Sequence, residues 1–236
     1  MLNVENLHVS YGAIKALQGI SLNVQRGECV AIVGSNGAGK TTLLKTICGL
    51  LAPLQGRVEL EGVNLIGKHA YDIANMAVAH VPEGRRVFAE MSVLDNLILG
   101  SYVKEAKARR KESLDYVFSL FPRLAERKDQ LAGTMSGGEQ QMLAVARGLM
   151  LRPKLLILDE PSSGLAPIIV EQMYEKLGEI HRSSDMAMLV VEQNVPIALS
   201  IADRGYVLEN GSINLSGTSN ELMVDPEVKA AYLGFH

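Results

Sequence analysis

The stretch GSNGAGKT, residues 34–41, constrains this chain more than any other. It fits G-x-x-x-x-G-K-[ST], directly after the apolar run ECVAIV and directly before a segment that reads as a helix from Lys40 to about Leu50. Glycines let the backbone wrap closely enough for successive N–H groups to converge on one anion, and the helix start adds its dipole. Lys40 would reach the β- and γ-phosphates, and the Thr41 hydroxyl would ligate Mg²⁺. The expected nucleotide contacts are Gly34, Ser35, Asn36, Gly37, Ala38, Gly39, Lys40, Thr41 and Thr42.

LLILDEP, residues 155–161, supplies the complement. Four apolar residues form a buried strand, and two carboxylates emerge at its C-terminal end, where open α/β sheets bind ligands. Asp159 would hold Mg²⁺. Glu160, one residue on, points to another face and could polarise the attacking water as a general base. No N-K-x-D loop for guanine is present, so ATP is the expected nucleotide.

The flanking pattern places these motifs in a single α/β domain spanning 1–236. Within the first sixty residues LNVENLHVSY and LQGISLNV alternate apolar and polar, as half-buried antiparallel strands do. From about Glu83 to Pro153 no strong strand occurs, and SVLDNLILGSYV and KEAKARRKESLDYVFSLF read as two helices, the second with Leu114, Val117, Phe118 and Phe121 as its apolar stripe. After that come strand, helix, strand and helix, the signature of parallel βαβ units, and a hairpin turning at Asn210-Gly211. We therefore expect a phosphate-loop core with an N-terminal antiparallel β part (1–83 and 153–236) interrupted by a helical subdomain (84–152).

Bulk properties exclude several classes. A net charge of −3 argues against a general nucleic-acid binder, and Arg109-Arg110-Lys111 is a solvated helix face. No run approaches a membrane span, and the N-terminus lacks the apolar core of a signal peptide. Cys29 and Cys48 have no metal or redox spacing and read as free thiols.

TMSGGEQQ, residues 134–141, poses a separate question, because it looks like a second anion-binding helix start in a chain that already has one. Ser136, Gly137 and Gly138 are most useful if they cap a nucleotide held by another protomer. With that segment just upstream of LLILDEP, the phosphate loop, the helical insertion and a late apolar strand, the whole chain resembles the ATP-binding cassette of ABC transporters. The resemblance implies that Ser136-Gly137-Gly138 completes the facing subunit's site and that Tyr11 stacks on adenine, where the residues alone leave a sheet-packing role equally open.

VPEGRRVF (81–88), SSGLAP (162–167) and VVEQN (190–194) are similar to one ATPase subunit of Liv-type branched-chain amino-acid importers. This implies a related ATPase partner, two transmembrane permeases, a periplasmic or extracellular solute-binding protein and a place on the cytoplasmic face of the membrane. Alternatives are a urea or short-amide importer and a slow ATP-dependent clamp. Two positions depart from the general cassette pattern. Glu83 stands where a metal-approaching glutamine is usual and is a candidate metal ligand. Gln193 stands where a catalytic histidine is usual and is a candidate catalytic residue; none of His8, His69, His80, His181 and His236 falls there. Val87, Phe88, Met91 and Leu94 are candidates to line a groove for a permease helix.

Overall fold

The computed structural model describes residues 1–232; His236 lies outside them. β1 (Leu2–Tyr11) and β2 (Ile14–Val24) pair antiparallel. A bulge around Asn6, at φ 45°, shifts the alternation so that Leu2, Val4, Leu7 and Val9 all face inward. β3 (Cys29–Val33) is buried at every position, as a strand covered on both faces must be. α1 (Lys40–Ile47) ends earlier than expected. Gly49, at φ 69°, turns the chain while its N–H donates to Thr46 and that of Leu50 to Lys45, a glycine C-cap. β4 (Gln55–Leu60) and β5 (Val63–Asn64) complete an antiparallel sheet in the order β2-β1-β4-β5.

α2 (Ala70–Asn75) and β6 (Val78–Val81) precede the helical stretch. It contains α3 (Val93–Gly100), α4 (Lys104–Ala108), α5 (Arg110–Leu120), α6 (Pro122–Glu126) and α7 (Gly137–Leu149). The single helix expected from KEAKARRKESLDYVFSLF is two. The break at Arg109, φ −113°, lets α4 bury Ala106 while α5 turns Ser113, Val117 and Leu120 inward. Arg110 Nε donates to Ser101 Oγ at 2.8 Å beside that break, so Arg110 is a tether rather than part of a freely solvated face.

The last third runs β7 (Leu155–Asp159), α8 (Pro167–Arg182), β8 (Ala187–Glu192), α9 (Val195–Leu199), β9 (Arg204–Glu209), β10 (Ser212–Thr218), α10 (Ser219–Val224) and α11 (Pro226–Tyr232). The main sheet has the order β10-β9-β3-β8-β7-β6, parallel except for β10. The expected hairpin is present, and its first strand doubles as the parallel neighbour of β3.

Strand period two sorts the core. Leu155, Ile157, Leu189 and Val191 face α1 and the antiparallel sheet, whereas Leu156, Leu158, Met188 and Val190 face the helices. Val93, Leu97, Val117 and Leu143 share one apolar cluster with that second set. The helices of 84–152 therefore pack on the sheet rather than around a core of their own. Cys29 and Cys48 are buried free thiols. Among the described residues no helix is long and apolar enough to cross a membrane.

Candidate functional site

The phosphate loop joins β3 to α1 at the C-terminal edge of the parallel sheet, the end where ligands of such sheets bind. Glycine is needed here on steric grounds. A Cβ on Gly34 would run into the Leu208 carbonyl oxygen, and Gly39 has φ 108° with the Ala16 carbonyl 2.8 Å from a built Cβ. Gly211 N–H donates to Ala38 O at 2.9 Å, so the β9–β10 turn also holds the loop's shape. Lys40, opening α1, is 4% exposed. Its Nζ donates to Gly34 O at 2.8 Å and Ser35 O at 3.0 Å, and pairs with Glu160 Oε1 at 3.1 Å.

Asp159 ends β7 and Glu160 follows it in left-handed backbone, φ 45°. Such a conformation is uncommon outside glycine and turns the two successive carboxylates in different directions. Glu160 N–H donates to Val191 O at 2.8 Å, which fixes the turn to β8. Burial first, and then the Glu160 and Glu83 carboxylates, push the Asp159 carboxyl up to about 6 against the pull of Lys40. Asp159 Oδ1 is buried with no hydrogen-bond partner. An orphaned buried carboxylate oxygen beside further carboxylates suits a divalent cation, and Thr41 adds a hydroxyl oxygen at the start of α1. Magnesium commonly takes one or two protein oxygens and completes its shell with phosphate and water. Among the described residues no group of three or more His, Cys, Asp or Glu is placed to hold a metal ion. Glu83 is exposed on the loop after β6 and acts on Asp159 through its charge.

Gln193, also exposed, follows β8 and lines the same cleft as Glu160, Ser162 and Gly164. The structure thus gathers Lys40, Asp159, Glu160, Glu83 and Gln193 around one spot. Tyr11 is 46% exposed at the β1–β2 tip, and β2 touches the phosphate loop through Ala16 and Leu17. Ser136–Gly138 do not line the Glu160 cleft. Ser136 caps α7 in a reciprocal capping box with Glu139, and a Cβ on Gly138 would lie 2.5 Å from Ile169 Cγ2.

Two features escape a linear reading. Glu192 is a buried carboxylate behind Gln193, signalled only by one charge closing an otherwise apolar run. A second groove, between the sheet edge and the helices, is lined by Leu50, Ile73, His80, Phe88, Tyr102 and Arg147 among others. Of the four apolar candidates around 87–94 only Phe88 lines it. Val87 packs against the core cluster, and Met91 and Leu94 are half-buried elsewhere.

A glycine loop holding an invested lysine, with a strand-end Asp-Glu pair opposite it, defines a phosphate-loop nucleotide-binding ATPase. The ABC transporter family model matches residues 17–163, and the chain belongs to that family, whose cassettes couple ATP hydrolysis to transport. It is 48% identical over 234 residues to BraG of Pseudomonas aeruginosa, a high-affinity branched-chain amino acid transport ATP-binding protein, covering 99% of this chain and all of that one. BraF of the same organism, described in the same words, is 29% identical over 99% of this chain and 98% of its own length. A crystallised ABC cassette in its ADP conformation superposes with a TM-score of 0.85 at 28% identity, covering 100% of this chain and 99% of that one.

Proposed function

We propose that this chain is the Mg²⁺-dependent ATPase subunit of an importer for branched-chain or other hydrophobic amino acids. It would pair with a second, related ATPase on the cytoplasmic face of the membrane, beneath two permeases served by a solute-binding protein. The full-length likeness to BraG carries the solute class. The paired description of BraF supports a heterodimer.

The site's chemistry fits hydrolysis. Lys40 Nζ donates to two backbone carbonyls and pairs with Glu160. The β- and γ-phosphates of ATP offer the lysine a more highly charged partner and draw it off Glu160. The freed carboxylate then accepts a proton from the attacking water. Asp159 and Thr41 would hold Mg²⁺, which neutralises phosphate charge when bound. Gln193 donates its amide N–H to the γ-phosphate, Tyr11 stacks on adenine, and Ser136–Gly138 completes the partner's site. The groove floored by Ile73 and edged by Leu50, Phe88 and Tyr102 would receive a permease helix.

The test is ATP-driven leucine uptake by proteoliposomes holding both ATPases and both permeases, with urea as the competing solute. Glu160→Gln should retain MgATP binding and lose most uptake. Parental uptake in that variant would overturn the assignment of Glu160; urea uptake in place of leucine would overturn the solute class.

A further inference from the structure

Glu192 closes β8 at 1% exposure, where the preceding five strand residues are all buried and apolar. Its Oε1 accepts from the Tyr174 hydroxyl at 2.8 Å and from Ser162 N–H at 2.8 Å. Its Oε2 accepts from the N–H of Gln193 at 3.2 Å. Among the described residues, no cation pairs with it. A buried carboxylate is costly unless hydrogen bonds satisfy it, and an apolar residue would finish the strand more cheaply. What the charge adds is three bonds to three different arms of the site. Ser162 lies two residues past Glu160, Gln193 lines the same cleft as Glu160, and Tyr174 anchors both to the buried face of α8. The arms are also tied by Glu160 N–H to Val191 O at 2.8 Å and Ser163 N–H to Glu160 O at 3.0 Å.

We propose that Glu192 is a positioning residue that holds Gln193 in register with the Glu160–Ser162 segment, so that the phosphate contact and the water-activating carboxylate move as one unit. This rests on the ATPase reading above. Glu192 itself touches no substrate. It acts through the backbone of Gln193 and Ser162, and small displacements of such groups are expensive because phosphoryl transfer depends on position and charge.

Glu192→Gln tests this in a heterodimer whose partner site carries an inactivated strand-end glutamate, so that only this chain's phosphate loop turns over. The amide keeps one carbonyl oxygen for Tyr174 and Ser162 but presents N–H to Gln193 N–H. We expect kcat to fall by about tenfold while KM for ATP stays within about twofold. Tyr174→Phe, which removes one donor and keeps the ring, should shift kcat in the same direction by less, and it supplies the reading if Glu192→Gln does not fold. The deciding measurement repeats Glu192→Gln in a Gln193→Ala background, where the proposal expects the extra loss to shrink to less than about twofold. Unchanged kcat in both single variants, or an undiminished loss in the Gln193→Ala background, overturns it. If instead Lys40→Ala turns over ATP at the parental rate, the ATPase reading itself has failed.

Discussion

At the scale of the residue, Lys40 and Glu160 neutralise each other across the site. Lys40 would carry a nearly buried charge with nothing to hold it, were it not for two carbonyls and Glu160 within hydrogen-bond reach. Lys40→Ala therefore removes a charged donor from the phosphate cradle and should weaken MgATP binding by about 10- to 100-fold, read by calorimetry. Unchanged affinity would mean that the phosphates bind elsewhere. Glu160→Gln keeps side-chain shape but cannot take a proton, so single-turnover hydrolysis should slow by about 10²–10⁴ at near-parental affinity. The spacing within 34–41 announces Lys40, and the strand end announces Glu160. Their contact is not legible, because 119 residues lie between them and only the β3–β8–β7 order brings the strand ends together.

At the scale of the element, β6 and the helices behind it form the groove. His80, on β6, has its Nε2 buried without a partner, and burial lowers the ring to about 4. Arg147, the charged group lining the same groove, adds no compensating negative charge. An unfolded histidine titrates near 6.5. As pH falls from about 6.5 towards 4, the unfolded chain takes up a proton that the native chain refuses, so stability falls by on the order of 1–3 kcal/mol; above pH 7 His80 contributes no slope. Urea unfolding at pH 7.5 and pH 5 should show this loss in the parent and a smaller one in His80→Gln. Equal losses would assign the acid sensitivity to other groups. Phe88, 51% exposed under the Arg147 guanidinium at 5.1 Å, is the groove's aromatic edge. Phe88→Ala should reduce permease stimulation of ATPase activity more than basal hydrolysis; equal reductions would mean that the ring only packs.

At the scale of the whole molecule, the proposed heterodimer would take unequal halves of its two sites from this one chain. Its phosphate loop lies near Glu83 and Gln193, whereas Ser136–Gly138 lies outside the Glu160 cleft and would serve a facing subunit in that assembly. Glutamine can donate to a γ-phosphate but cannot gain the positive charge that a histidine can. The extra carboxylate of Glu83 adds negative charge close enough to raise Asp159. Under that reading both features would act on this chain's own loop. In a heterodimer whose partner retains the usual glutamine and histidine, the site built on Lys40 should hydrolyse more slowly than the other. Inactivating each chain's strand-end glutamate in turn and measuring residual turnover checks this; equal rates would remove the asymmetry.

What the sequence alone determines here is local: the loop that only glycines can form, strands whose continuous apolarity demands cover on both faces, and carboxylates released where such a strand ends. These depend on near neighbours, so spacing suffices to read them. The break at Arg109, the single core shared by 84–152 and the sheet, the withdrawal of Val87 from the groove and the three bonds to Glu192 are of another kind. Each is settled by which distant segment arrives opposite. A half-apolar helix does not state which face of a sheet it will meet, and a carboxylate at a strand end does not state whether water or a buried tyrosine will satisfy it. Packing between elements decides both, because burial and hydrogen bonding are gained only once the elements meet.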